Sequence, residues 1–236
     1  GGSTPQWPPA TAAQAALEGL VLGQSVELRY AGAATDRYQR LVAQVLAGDG
    51  ATRTWVQAAL VEAGHARALV APGLTGCLGA LMAREATALA AGRGLWSHAA
   101  YAIRDGGRAF ELLRHRATFQ VVEARVQRVD QVRGRVYLNF GEDWRRDFTI
   151  GIKLGGRTGV QGEAVHDLAG LAGALVRVRG WIERRNGPFI ELVDWRALEV
   201  LEDAGVRGAD PVATRRRAPT QPVAAREWPV RDRSAR

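Results

Sequence analysis

The 236 residues carry 32 Lys+Arg against 24 Asp+Glu, a formal net charge of +8, in a chain long enough for one large or two small cored domains. The basic surplus suggests an anionic partner, although residues 205 to 236 hold eight arginines and three acids, a net of +5, which leaves +3 for residues 1 to 204. The lone cysteine, Cys77, excludes an intrachain disulfide, and the lack of any run of about 18 apolar residues excludes a membrane-spanning helix by length.

The chain begins with Gly rather than Met, and no charged segment leads into an apolar one, so the beginning reads as processed, engineered or truncated. Residues 1 to 9, with Pro5, Pro8 and Pro9, read as an extended lead-in. The Ala- and Leu-rich stretch from Ala10 to Leu22 predicts a helix that stops at Gly23. Val26, Leu28 and Tyr30 alternate with Glu27 and Arg29, a strand pattern over 25 to 30. A second strand is expected from about Arg37 to Ala47, ending at Gly48-Asp49-Gly50.

Ahead of and within that second strand runs Thr35-Asp36-Arg37-Tyr38-Gln39-Arg40. Residues i and i+2 of an extended strand share a face, so Tyr38 and Arg40 would point toward one ligand. A guanidinium matches phosphate oxygens and a phenol can hydrogen-bond and stack beside it. The same pattern also fits a solvated strand face.

Thr52 or Thr54 can cap a helix carrying Val56, Ala59, Leu60 and Ala63 and ending at Gly64. A short apolar segment, 66 to 70, leads into a loop at 71 to 73. From Leu78 the stripe Leu81, Met82, Glu85, Ala86 and Leu89 predicts a further helix, stopped by Gly92-Arg93-Gly94, with Leu95 and Trp96 folding back on its apolar face. A short helix at 109 to 116 then introduces alternating strands at 119 to 129, 135 to 141 and 147 to 152. A Gly-rich loop (155 to 162), a short helix (163 to 171), a strand (174 to 184), an Asn186-Gly187 hairpin and a closing segment (188 to 201) follow.

Three strands, a helix and two strands is the order of the five-stranded oligonucleotide/oligosaccharide-binding (OB) barrel. The first half, helix-strand-strand-helix-helix, matches the back end of such a barrel without its first three strands. Two strands alone expose an edge and cannot enclose a core. The fold class is thus α+β or mainly β: a partial OB barrel followed by a second five-stranded OB-like barrel. Its parts are a lead-in (1–9), a partial OB domain (10–104), a linker helix (105–117), an OB-like domain (118–203) and a disordered basic tail (204–236).

The first half resembles the staphylococcal nuclease (thermonuclease) family. The resemblance runs in register over roughly residues 10 to 97. It takes in the Ala-rich helix, Val26-Glu27-Leu28, and Thr35 to Arg40, where the family has a Thr-Asp-Lys-Tyr-Gly-Arg type signature. It continues through Trp55-Val56-Gln57-Ala58-Ala59-Leu60-Val61-Glu62-Ala63-Gly64 to Gly94-Leu95-Trp96-Ser97. The family implies calcium-dependent hydrolysis of DNA and RNA phosphodiesters. By resemblance Arg40 is one of two transition-state arginines, Tyr38 holds the nucleotide beside the cleaved phosphate, and Arg37, where the family often has lysine, contacts phosphate. The family's metal-binding aspartates, second arginine and candidate base precede its first helix, yet Gly1 to Pro9 contain no Asp, Glu or Arg. The resemblance therefore implies no metal ligand in this chain and an inactive or nearly inactive protein, cleavage belonging to an intact form. Export to the periplasm or medium is implied by the family alone, and nothing fixes the oligomeric state.

In the second half, Val176, Val178, Gly180 and Ile182 alternate with Arg177, Arg179, Trp181 and Glu183. The arginines and the indole could form a nucleic-acid surface, since aromatic platforms and basic grooves are how single strands are held. A solvated outer face with Trp181 covering a helix fits equally. The segment 143 to 147 is a mixed charged patch around Trp144, and the text around Tyr137-Leu138-Asn139-Phe140 resembles an extension found in some bacterial thermonuclease-like proteins. His65, His98, His115 and His166 lack zinc spacing, Gly155-Gly156-Arg157-Thr158-Gly159 lacks the end of a phosphate loop, and no Gly-x-Ser-x-Gly elbow occurs. Beside the nuclease reading stand a non-catalytic tandem-OB module that binds single-stranded nucleic acid or a protein partner, and a structural piece with no nucleic-acid role.

Overall fold

Pro8 and Pro9 open the first helix instead of preceding it: α1 spans Pro8–Val21. Proline's fixed φ suits the first turn, where its missing N–H would have had no partner. The structure, a computed structural model, describes residues 7–30, 35, 38–50, 53–69, 77–155, 168–192 and 194–203. Arg37, the loop at 71 to 73, most of the Gly-rich loop and of the helix expected at 163 to 171, and the basic tail lie outside the described residues.

After α1, β1 (Val26–Arg29) pairs antiparallel with β2 (Gln44–Ala47), which pairs with β3 (Thr54–Trp55). The predicted long second strand is therefore short, and a third strand is added. Thr54 belongs to β3, so Trp55 stands at the N-cap of α2 (Val56–Glu62) and no side chain caps it. Helix α3 (Leu78–Ala90) buries Leu78, Met82, Glu85 and Ala88, a stripe turned slightly from the predicted one: Ala86 faces solvent. Two glycines join the ends of these helices. The Leu95 amide donates to Gly64 O at 2.8 Å. A Cβ at Gly64 would lie 2.3 Å from the carbonyl oxygen of Arg93, and one at Gly94 2.4 Å from that of Gly64, so neither position admits a side chain.

The expected linker at 105 to 117 is part of the second domain's framework. Strand β4 (Arg104–Asp105) pairs parallel with β5 (Phe119–Arg125), and α4 is only Ala109–Leu113. Two of the predicted strands each divide in two: 119 to 129 becomes β5 and β6 (Arg128–Val132), and 174 to 184 becomes β9 (Leu175–Trp181) and β10 (Glu183–Arg185). With β7 (Arg135–Asn139), β8 (Thr149–Lys153), β11 (Gly187–Leu192) and β12 (Leu198–Glu202), they make a five-stranded sheet, β10-β11-β8-β7-β6, and a four-stranded sheet, β12-β9-β5-β4.

The strand breaks are corners where the chain passes between the sheets. At the first, the Val126 amide donates to Ala174 O while the next amide, Gln127, donates to Asn139 O in the other sheet. The parallel β8–β11 pair and the antiparallel β5–β9 pair complete an OB-like arrangement, but among the described residues the sheets do not close into a continuous barrel. The expected Asn186-Gly187 hairpin occurs, with Asn186 at φ +66° and Gly187 already paired with Arg185.

The overall class is α+β. The large core lies between the two sheets and includes Val122, Leu138, Phe148, Ile150, Val176 and Ile190. The first half has a small cluster of Ala68, Leu78 and Met82. Val26, Leu28 and Tyr30, the apolar residues of the β1 alternation, are each at least 40 % exposed. A three-stranded sheet of two- to four-residue strands has too little area to cover them. The two halves nevertheless fall in one compact unit.

Candidate nucleic-acid interface

Tyr38 and Arg40 do come together, but through a turn and not through strand alternation. A single antiparallel bridge between Thr35 and Leu41 closes the segment, and Gln39 sits at φ +61° between the two side chains. The Arg40 guanidinium lies 5.2 Å from the centroid of the Tyr38 ring, a cation–π contact. Both residues are exposed, Tyr38 to 62 %. The left-handed backbone at Gln39 explains the glycine of the family signature at this position. Glycine reaches that conformation freely, whereas a side chain costs about 1–2 kcal/mol. The turn survives the substitution.

Downstream, the turn is anchored by a residue that sequence patterning left unremarked. Gln57 on α2 donates from Nε2 to Ala43 O and accepts from the Val45 amide through Oε1, both at 3.0 Å. Its amide thus plays the part of a neighbouring strand where β3 has ended. Trp55 Nε1 donates to Gln44 Oε1 at 2.7 Å on the same short stretch. A glutamine one residue into a helix that follows a strand, with an unpaired strand edge beside it, is the signal that could have found it.

Glu27, the acid closest in sequence to this sheet's centre, is held by Arg29 at 2.7 Å and by Arg53. No group of three or more His, Cys, Asp or Glu side chains is placed to hold a metal among the described residues. Calcium takes six to eight oxygen ligands, commonly with several carboxylates. The described residues therefore do not fit the family's calcium. Cys77 is half-buried, and burial pushes its thiol up, away from the activated thiolate of a nucleophile.

The face predicted on β9 is not a phosphate surface. The Arg179 side chain is 2 % exposed; Nη1 contacts Glu85 Oε2 on α3, and Nη2 contacts Glu199 Oε1 at 2.7 Å. Glu85 in turn accepts from the Ala68 amide at 2.7 Å. Arg177 is engaged by Glu123 at 2.6 Å and lies 3.9 Å from Glu199. Both guanidiniums are committed to carboxylates, Arg177 within its own sheet and Arg179 where α3 of the first half packs on the outer face of β9. Arg67 strengthens the same joint, donating to Phe119 O at 3.0 Å between the rings of Tyr101 and Phe119. Trp181 alone of the predicted trio is exposed, at 56 %, edge-on to Phe119. The missed residue is Glu85. A carboxylate on the apolar stripe of a helix demands a buried cationic partner, and the outward arginines of β9 were the candidates.

Among solved structures, the chain is similar to a Leishmania major Friedlin protein described as an aspartyl-tRNA synthetase, at 11 % identity and a TM-score of 0.33. The match covers 45 % of this chain and 22 % of that one. None of the curated proteins matches the chain. The family model of staphylococcal nuclease homologues matches residues 4–98, a span that contains α1, the Tyr38–Arg40 turn and α3. Through that segment, about two fifths of its length, the chain is similar to the staphylococcal nuclease family.

Proposed function

We propose that this chain supplies the phosphate-recognising part of a nuclease of DNA or RNA, with Arg40 as the guanidinium that meets the scissile phosphate and Tyr38 beside the nucleotide. The observation that carries the reading is the turn itself, which holds Arg40 against Tyr38 inside the segment matched to the nuclease family. In-line attack of water on a phosphodiester increases the negative charge on the phosphoryl oxygens, and a guanidinium offsets it through two parallel N–H donors. Arg37 is the natural third contact on the same run.

Cleavage also needs a hard cation and a carboxylate to orient or deprotonate water. The family's calcium ligands do not fall on this chain's described residues, so the chain alone binds nucleic acid and cuts it slowly or not at all. In a form carrying the family's carboxylate-bearing strands, cleavage depends on calcium, stops with chelator, and requires Arg40. Fusing such strands ahead of Gly1 and following end-labelled DNA tests this. Activity should appear with calcium and fall about 10²–10³-fold in Arg40→Ala, the loss seen when one charge-stabilising donor is removed. An unchanged rate in Arg40→Ala would take Arg40 out of the mechanism, and brisk calcium-dependent cutting by the present chain would refute the division of labour.

A further inference from the structure

The five-stranded sheet of the second domain carries a cavity of about 470 Å³ on a face remote from the β9 arginines in sequence and sheet order. Strand register builds it in two cross-strand rows. Arg128, Asn139, Thr149 and Phe189 lie abreast in one, and Asp130, Tyr137 and Gly151 in the next. Side chains two apart on a strand share a face, so both rows look the same way. Gly151 leaves room for an aromatic ring: a Cβ there would come 2.4 Å from Phe189 Cζ.

The floor is polar and buried. Asn139 is 4 % and Thr149 7 % exposed, yet both line the cavity. Thr149 Oγ1 donates to Asn139 Oδ1 at 3.1 Å, and Asn139 Nδ2 donates to Asp130 Oδ2 at 2.8 Å. Toward a ligand the hydroxyl is thus an acceptor, and the amide keeps a second N–H as donor. The walls are Tyr137, Phe189 and Trp144. The last stands at 44 % exposure on a turn that Asp143 and Asp147 fix by accepting backbone amides. Arg185 lies 4.4 Å over the Phe189 ring, held by Glu183 and Glu191. Asp130 engages Arg128 through Nε, and among the described residues the two terminal nitrogens of Arg128 are left as donors.

We propose that this groove binds single-stranded nucleic acid, one unpaired base entering among Tyr137, Trp144 and Phe189 above the Asn139–Thr149 floor, with Arg128 meeting the adjoining phosphate. A planar ring with a donor-and-acceptor edge satisfies the aromatic walls and the buried polar floor together, and the volume is in the range of small-ligand cavities. Duplex does not fit, because its base edges are already paired. The inference is independent of cleavage. Failure of the nuclease reading would appear as turnover indifferent to Arg40, with binding here unaltered.

The test is a fluorescence-anisotropy titration of the full chain against a fluorescein-labelled oligothymidylate of about 12 nucleotides, within the span of one OB-like domain, in chelator. Trp144→Ala, an exposed change that the core does not feel, should weaken binding about tenfold or more, the equivalent of one lost stacking partner. Thr149→Val should weaken it too, Trp181→Ala should bind like the parent, and unlabelled duplex should fail to compete. Parent-like affinity in both Trp144→Ala and Thr149→Val, an equal loss in Trp181→Ala, or no binding of single strands by the parent would overturn the proposal.

Discussion

Removing one partner of the Arg179–Glu85 ion pair should be the most damaging conservative change in this molecule. Both side chains are 2–3 % exposed, Glu85 also accepts the Ala68 amide, and the pair joins α3 of the first half to β9 of the second domain. A lone buried charge cannot recover its hydration, and breaking such a pair costs about 3–5 kcal/mol. Glu85→Gln keeps volume and leaves Arg179 with only Glu199, itself 24 % exposed. The lower figure therefore applies: about 3 kcal/mol, or a fall in Tm of about 6–12 °C for a unit of this size. Arg179→Met should cost more, since it strands the carboxylate. The double variant Glu85→Met/Arg179→Met should come back to within about 2 kcal/mol of the parent, because an apolar pair of similar volume replaces a desolvated ionic one. Urea denaturation of the parent, both single variants and the double closes the cycle. Single-variant losses below about 1 kcal/mol, typical of exposed pairs, or a double loss equal to the sum of the singles, would refute the argument.

The turn at Gln39 makes a steric prediction: Gln39→Val should destabilise by about 1–2 kcal/mol in a urea titration, because a β-branched side chain is poorly accommodated at φ +61°, whereas Gln39→Gly should not destabilise. Burial, with Arg104 and Arg114 nearby, holds the His115 imidazole below its ordinary range. The unfolded chain then binds the proton more readily, so stability should rise with pH from the lowered folded value up through about 6.5 and level off above it. His115→Gln should flatten that rise in Tm measured against pH, and an unchanged slope would assign it to another group.

Local chemistry was legible where the deciding partner lay nearby in sequence. The helices, the β10–β11 hairpin and the meeting of Tyr38 with Arg40 follow from periodicity and turn residues. The way those two residues meet does not, since a left-handed glutamine is invisible to strand alternation. The β9 face misled for a different reason. Alternation correctly turned Arg177, Arg179 and Trp181 away from the core, but alternation cannot say that a helix some 90 residues earlier covers that side, and burial plus two glutamates changes an arginine from a ligand contact into a joint. The divided strands are likewise a tertiary matter: the corners at Val126 and Ile182 arise from bonds to Ala174 and Thr118, distant in sequence.

The joint also determines which surface of the second domain is left for a ligand. Once α3 seats Glu85 on Arg179, the arginines on the four-stranded sheet's outer face are engaged by carboxylates and only Trp181 of the predicted trio stays exposed there. The five-stranded sheet holds the buried Asn139–Thr149 floor, an arrangement that packing alone does not call for, because a fully apolar row would serve a covered face better. A polar floor beneath aromatic walls is retained where something polar and flat comes and goes. On the two proposals above, nucleic-acid contact divides between an exposed arginine turn for the backbone and a recessed pocket for a base.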